Sequence, residues 1–72
     1  MNSKVRQRTI VAFQARLRHQ LRQEAKHGHE LNEMGERLMA RSIYDTVWTL
    51  IELGARNEAR AILAGYCRPV EA

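Results

Sequence analysis

Residues Arg41–Leu63 read RSIYDTVWTLIELGARNEARAIL. The stretch holds the chain's single Trp and one of its two Tyr, set among Ile, Val and Leu. Its apolar residues recur at helical spacing. At ~100° per residue, Ile43, Val47, Leu50 and Ile51 share one side of a helix, which Tyr44 and Trp48 widen. Gly54 then stands where a left-handed residue would close that helix, and Asn57 where a polar side chain would open a third one through about Ala64. Ala59, Ile62, Leu63 and Tyr66 form the expected inward side of this third helix, and Gly65 and Pro69 end it.

The rest of the chain agrees with an all-α reading. Proline is absent before position 69, and the glycines stand at 28, 35, 54 and 65 with strong helix formers between them. No stretch alternates with the period of a strand. A first helix is expected over about 4–26, with Ser3 as its N-cap and Gly28 as its stop. On it Ile10, Phe13, Leu17 and Leu21 fall within a stripe ~80° wide, a narrow seam suited to a helix–helix contact.

The second helix, over about 30–53, changes its apolar side partway. Leu31, Met34 and Leu38 share one stripe, and the Ile43–Ile51 face is rotated from it by more than ~100°. The phase changes across Met39–Ser42. Either one continuous helix serves two neighbours, or the helix kinks or breaks briefly near Ser42. The expected architecture is an antiparallel helical hairpin of two long helices plus a short C-terminal helix. It forms a single small domain over 1–72, with a flexible tail at 67–72.

Within this frame the turn LGARNEA, Leu53–Ala59, resembles the inter-helix turn of a tetratricopeptide unit, in which Gly is followed four and five residues later by Glu-Ala. The resemblance covers about 20 residues and occurs once, whereas such arrays need three or more units. It implies a tight helical turn and not a repeat protein.

At 72 residues the chain buries only roughly 60% of its unfolded surface, so its core is marginal and packing or self-association must supply stability. One cysteine, Cys67, allows no internal disulfide and fits a reducing cytoplasm. No apolar run reaches the ~18 residues of a membrane span. The Arg-rich, acid-poor N-terminal part resembles a mitochondrial presequence only superficially, because the helical pattern runs well beyond presequence length.

Charge is unevenly spread. Residues 1–29 hold seven Lys/Arg against one acid, Glu24, and residues 30–72 hold five against seven acids. The net charge of +4 is thus strongly positive in front and slightly negative behind. Lys4, Arg8, Arg18, Arg22 and Lys26 make a basic face on the first helix, a possible site for nucleic acid or an acidic partner. No helix-turn-helix, ribbon-helix-helix or basic-zipper pattern accompanies it.

Other chemistry is thinly represented. His27 and His29 with Glu30 and Glu33 have the residue types of a metal site, but an i, i+2 pair on a helix diverges, so a polar turn with no metal is expected. Cys67 beside Arg68 has no base at a recognisable spacing, so no catalytic residue and no cofactor are expected. The Tyr44–Trp48–Ile51 ridge carries the strongest signal, because Tyr and Trp concentrate in binding hot spots and a two-turn third helix cannot cover the whole apolar side.

The sequence therefore leads to a non-enzymatic protein–protein interaction module, an adaptor or an anti-activator type inhibitor of a regulatory protein. It would work in the cytoplasm of a bacterium or from a phage. Tyr44, Trp48, Ile51, Val47 and Ile43 are its expected partner-binding residues. A symmetric homodimer is expected too, because the apolar surface exceeds what one hairpin covers. The alternative is a DNA- or RNA-binding regulator using the basic face.

Overall fold

The structure, a computed structural model, describes residues 2–66. The expectations for Cys67 and for the tail at 67–72 lie outside the described residues. Among those residues the fold is entirely helical: α1 (Ser3–His27), a 3-10 turn (Gly28–Glu30), α2 (Glu33–Glu52) and α3 (Arg56–Tyr66).

Each boundary has a local cause. Asn2, not Ser3, caps α1: its side chain accepts from the backbone N–H of Lys4 at 2.8 Å and of Val5 at 3.3 Å. Ser3 is already helical and has no capping role. At the other end Gly28 does not stop the helix in a left-handed conformation, for its φ and ψ are −55° and −38°. The chain instead tightens into the 3-10 turn, then opens to extended backbone at Leu31. Asn32 caps α2, its Oδ1 accepting from the N–H of Gly35 at 2.8 Å, with Glu33 and Glu36 in the first turn where carboxylates favour the helix dipole.

α2 runs without a break through Ser42, so the phase change in its apolar pattern falls within one continuous helix. It ends at Gly54, whose φ is +83°. The Gly54 N–H donates to the Ile51 carbonyl at 3.0 Å and the Ala55 N–H to the Leu50 carbonyl at 2.8 Å. These are the two bonds of a Schellman cap, and the small apolar pair that accompanies it, Ala55 and Leu50, is wholly buried. Asn57 lies inside the first turn of α3 and does not open it; the chain enters α3 through Ala55, whose carbonyl accepts from the Ala59 N–H at 3.0 Å. Gly54→Ala is expected to cost about 1 kcal/mol, because a side chain at positive φ is strained. Thermal unfolding should show a drop of roughly 4–8 °C.

All three helices meet in one core. α1 contributes Ile10, Leu17 and Leu21, α2 contributes Ile43 and Leu50, and Ala55, Ala59 and Ile62 complete it. Leu17 and Leu50 are its largest fully buried side chains. Ala55, at the entry to α3, and Ala59, within it, are the small side chains of this core. Thr46, the one buried polar side chain among the described residues, satisfies itself by donating to the Ser42 carbonyl at 3.1 Å.

At the contact of α1 with α2, Gln20 Nε2 donates to Ser42 Oγ at 2.7 Å, while the buried Gln20 Oε1 finds no protein partner. Ser42→Ala is expected to cost about 1 kcal/mol by stranding the Gln20 amide. Gln20→Leu combined with Ser42→Ala removes both polar groups and should unfold at or above the wild-type temperature.

The molecule is thin. Its extents are 41 × 29 × 16 Å and its radius of gyration is 13.4 Å, against about 11 Å for a compact chain of this size. α1, with 25 residues at ~1.5 Å per residue, outruns the others, and its residues 3–8 are exposed on every side. A layer this thin buries one side of each helix and leaves the other in water.

Candidate functional site

The inward line of α2 is Met39, Ile43, Thr46 and Leu50. On the opposite side every residue is exposed: Met34, Arg37, Leu38, Arg41, Tyr44, Asp45, Trp48 and Glu52. Four of these are large and apolar or aromatic, with Met34 62%, Leu38 62%, Tyr44 59% and Trp48 45% exposed. Tyr44 and Trp48 are one turn apart and touch edge to face, their ring centroids 5.9 Å apart at an interplanar angle of 70°. Such an edge-to-face contact is worth about 0.5–1.5 kcal/mol and favours one relative placement of the two rings.

The five expected partner-binding residues do not share one environment. Tyr44 and Trp48 face solvent. Val47 and Ile51 are half-buried where α2 meets α3, bordering a shallow groove with Ala59, Arg60 and Leu63. Ile43 is only 9% exposed and belongs to the core, because it lies on the side of α2 that faces α1.

Met34 and Leu38, read from the sequence as a separate stripe, instead extend the aromatic pair along the same outer side. The signal was present in the spacing 34, 38, 41, 45, 48, 52, an alternation of four and three residues that holds one side of a helix. Its three charged residues, Arg41, Asp45 and Glu52, hid it from a reading by apolarity alone.

On α1, Lys4, Arg8, Arg18, Arg22 and Lys26 are all exposed. None of them is ion-paired among the described residues, where the pairs are Arg37 with Glu33 and the two histidines with Glu30. Arg22 Nε donates to the Tyr66 hydroxyl at 3.3 Å. That bond holds Tyr66 at the surface over α1, whereas the sequence placed it on the inward side of the third helix. His19, Arg22, Lys26 and Tyr66 line a shallow groove there.

The histidines also depart from expectation. Because Gly28–Glu30 is a 3-10 turn, His27 and His29 do not diverge: Nδ1 of the first lies 3.3 Å and Nε2 of the second 3.8 Å from the two oxygens of Glu30. All three side chains are well exposed. Among the described residues no three His, Cys, Asp or Glu side chains converge as a bound metal would require. No helix among them is long and apolar enough to cross a membrane.

Comparison of the chain with protein-family models, with curated proteins and with solved structures found no significant match.

Proposed function

We propose that this chain is a small non-enzymatic interaction module, an adaptor or an anti-activator type inhibitor of a regulatory protein. It would bind through the outer face of α2, with α1 and α2 acting as a rigid helical hairpin that presents that face. The observation that carries this reading is the exposed, edge-to-face Tyr44–Trp48 pair, standing in line with exposed Leu38 and Met34. Exposed apolar patches of this kind mark interaction sites, and Tyr and Trp are the residue types that anchor interfaces. As an inhibitor, such a helical face would mask the surface its target uses to dimerise or to contact DNA. The same face would pair with a second copy when no target is present.

The experiment compares wild-type protein with Trp48→Ala as bait in a pull-down, with molar mass measured in parallel. Trp48 lies outside the core, so helix content should stay unchanged while a specific protein is lost from the variant. If oligomeric state and every retained partner survive the substitution, the reading fails.

A second reading, binding of DNA or RNA by α1, is favoured by the five exposed and unpaired cations on one helix. Phosphate neutralisation predicts affinity that falls steeply with salt. A gel shift at low and moderate salt, with Arg22→Glu and Lys26→Glu as controls, decides it. No shift at low salt eliminates this reading, and a tight complex lost in both variants replaces the first reading with it.

A further inference from the structure

We infer that the outer face of α2 is self-complementary, and that its occupant in the free protein is a second copy of this chain lying antiparallel across it. The inference rests on the reading of this face as an association surface and adds the partner, the direction and the register.

The seam Met34, Leu38, Arg41, Asp45, Trp48, Glu52 has the four–three spacing of a coiled-coil contact, and all six residues are exposed. Its charges are ordered, with the cation Arg41 toward the start of α2 and the acids Asp45 and Glu52 toward its end. Arg41 and Asp45 are one turn apart yet make no ion pair with each other or with any other described residue. The cation precedes the acid, which is the weaker order for such a pair within one helix.

Direction follows from the charges. In a parallel two-fold pair each seam residue meets its own copy, so Arg41 would face Arg41 and Asp45 would face Asp45, which is repulsive at a partly desolvated contact. In the antiparallel pair the axis passes between positions 41 and 45. Arg41 then meets the partner's Asp45 twice over, once on each side of the axis. The same register sets Leu38 against the partner's Trp48 and Met34 beside the partner's Glu52. Tyr44 flanks the axis, where it approaches its own copy. A polar pair inside an apolar seam costs stability but selects a single register, as buried polar positions do in coiled coils.

The area is sufficient for a reversible dimer. An aromatic side chain covers about 150–250 Å², so Tyr44 and Trp48 at their exposures leave roughly 200 Å² per copy to be covered. Met34 and Leu38 add a comparable amount, bringing the apolar part to about half of the ~800 Å² per partner of a standard interface. Arg37, exposed beside the seam, contributes to the polar rim. Self-pairing by this face also gives the module a resting form, in which a target must displace one copy to reach the aromatic pair.

The test is molar mass against concentration, by light scattering, for wild type, Arg41→Glu, Asp45→Arg and the double variant. Circular dichroism verifies that each variant keeps its helices, as these exposed positions require. Wild type is expected to dimerise, and each single variant to dissociate at least tenfold more readily, because each places two like-charge contacts across the axis. The double variant restores both pairs with the charges exchanged and should recover to within a few-fold of wild type. An equimolar mixture of the two single variants should form a heterodimer tighter than either alone.

A wild type that stays monomeric at every concentration overturns the inference. So does a dimer indifferent to both single substitutions, or a double variant no better than the singles. Failure here is distinct from failure of the functional reading. A monomer that still loses a specific protein on Trp48→Ala overturns self-pairing alone. A dimer that obeys the charge exchange, with no protein partner lost on Trp48→Ala, upholds self-pairing and sinks only the regulatory target.

Discussion

Leu50→Ala is expected to leave most of the chain unfolded at 25 °C. Leu50 has no exposed surface and stands where the core and the α2 cap coincide, its carbonyl receiving the Ala55 N–H while its side chain is buried in the core cluster. Removing such a side chain costs about 2–5 kcal/mol, the upper part of the range applying where the surroundings cannot collapse. Here the upper part applies, because the Schellman bonds hold Gly54 and Ala55 beside Leu50 and the core is completed there by Ala55 and Ala59, whose side chains cannot extend into the space. A single core of this size rarely supplies more than about 3–5 kcal/mol in total. Far-ultraviolet circular dichroism should therefore show loss of most helix signal and of a cooperative thermal transition. Leu38→Ala makes the same chemical change at a residue 62% exposed, and should alter stability by no more than about 0.5 kcal/mol. Because Leu38 lies on the proposed dimer contact and association stabilises the folded form, the two variants are compared at concentrations low enough for wild type to be monomeric. Similar unfolding temperatures for the two would mean that the core is not where the structure puts it.

The second large effect falls on association and spares the fold. Tyr44→Ala and Trp48→Ala are each expected to weaken binding at this face by tenfold or more, in line with truncation of an interface hot spot. The two losses should not multiply. Each ring braces the other at 5.9 Å, so removing one already loosens its neighbour, and the double variant should lose less than the product of the single effects. That shortfall, measured as a double-variant cycle on the dimer dissociation constant, distinguishes a preorganised pair from two independent contacts. Fully multiplicative losses would remove the argument from preorganisation. A marked fall in unfolding temperature for either single variant, at concentrations where wild type is already monomeric, would instead assign the ring to the core.

The sequence made the helical class, the number of helices and the turn at Gly54 legible, because each rests on local chemistry: spacing, helix formers and a residue able to hold φ of +83°. The caps were harder to read. Asn2 and Ser3 both suit a cap, and only the hydrogen bonds from Lys4 and Val5 choose between them. Asn57 has the right chemistry at a position where Ala55 is instead needed, since the residue entering α3 must also be buried against Leu50. Continuity of α2 through Ser42 was undecided for a tertiary reason: the Gln20 amide from α1 meets Ser42 and holds that turn against the first helix.

The site was half legible. Tyr44 and Trp48 announced themselves by residue type, but Ile43 belongs with the core, because one step of ~100° carries it from the outer face to the inner one. Met34 and Leu38 could be placed beside the aromatics only once α2 was known to be continuous through Ser42. Arg41 and Asp45 carry no signal as single residues, and their meaning depends on a second helix to read them against.

The most direct test of the central claim follows Trp48 emission and molar mass together as the protein is diluted. Trp48 is the only tryptophan, and it sits on the proposed contact. The mass is expected to fall from two chains to one, with the emission shifting to the red over the same concentration range as the ring regains water. A monomer at every concentration, or a dimer that dissociates with no change in emission, would contradict it.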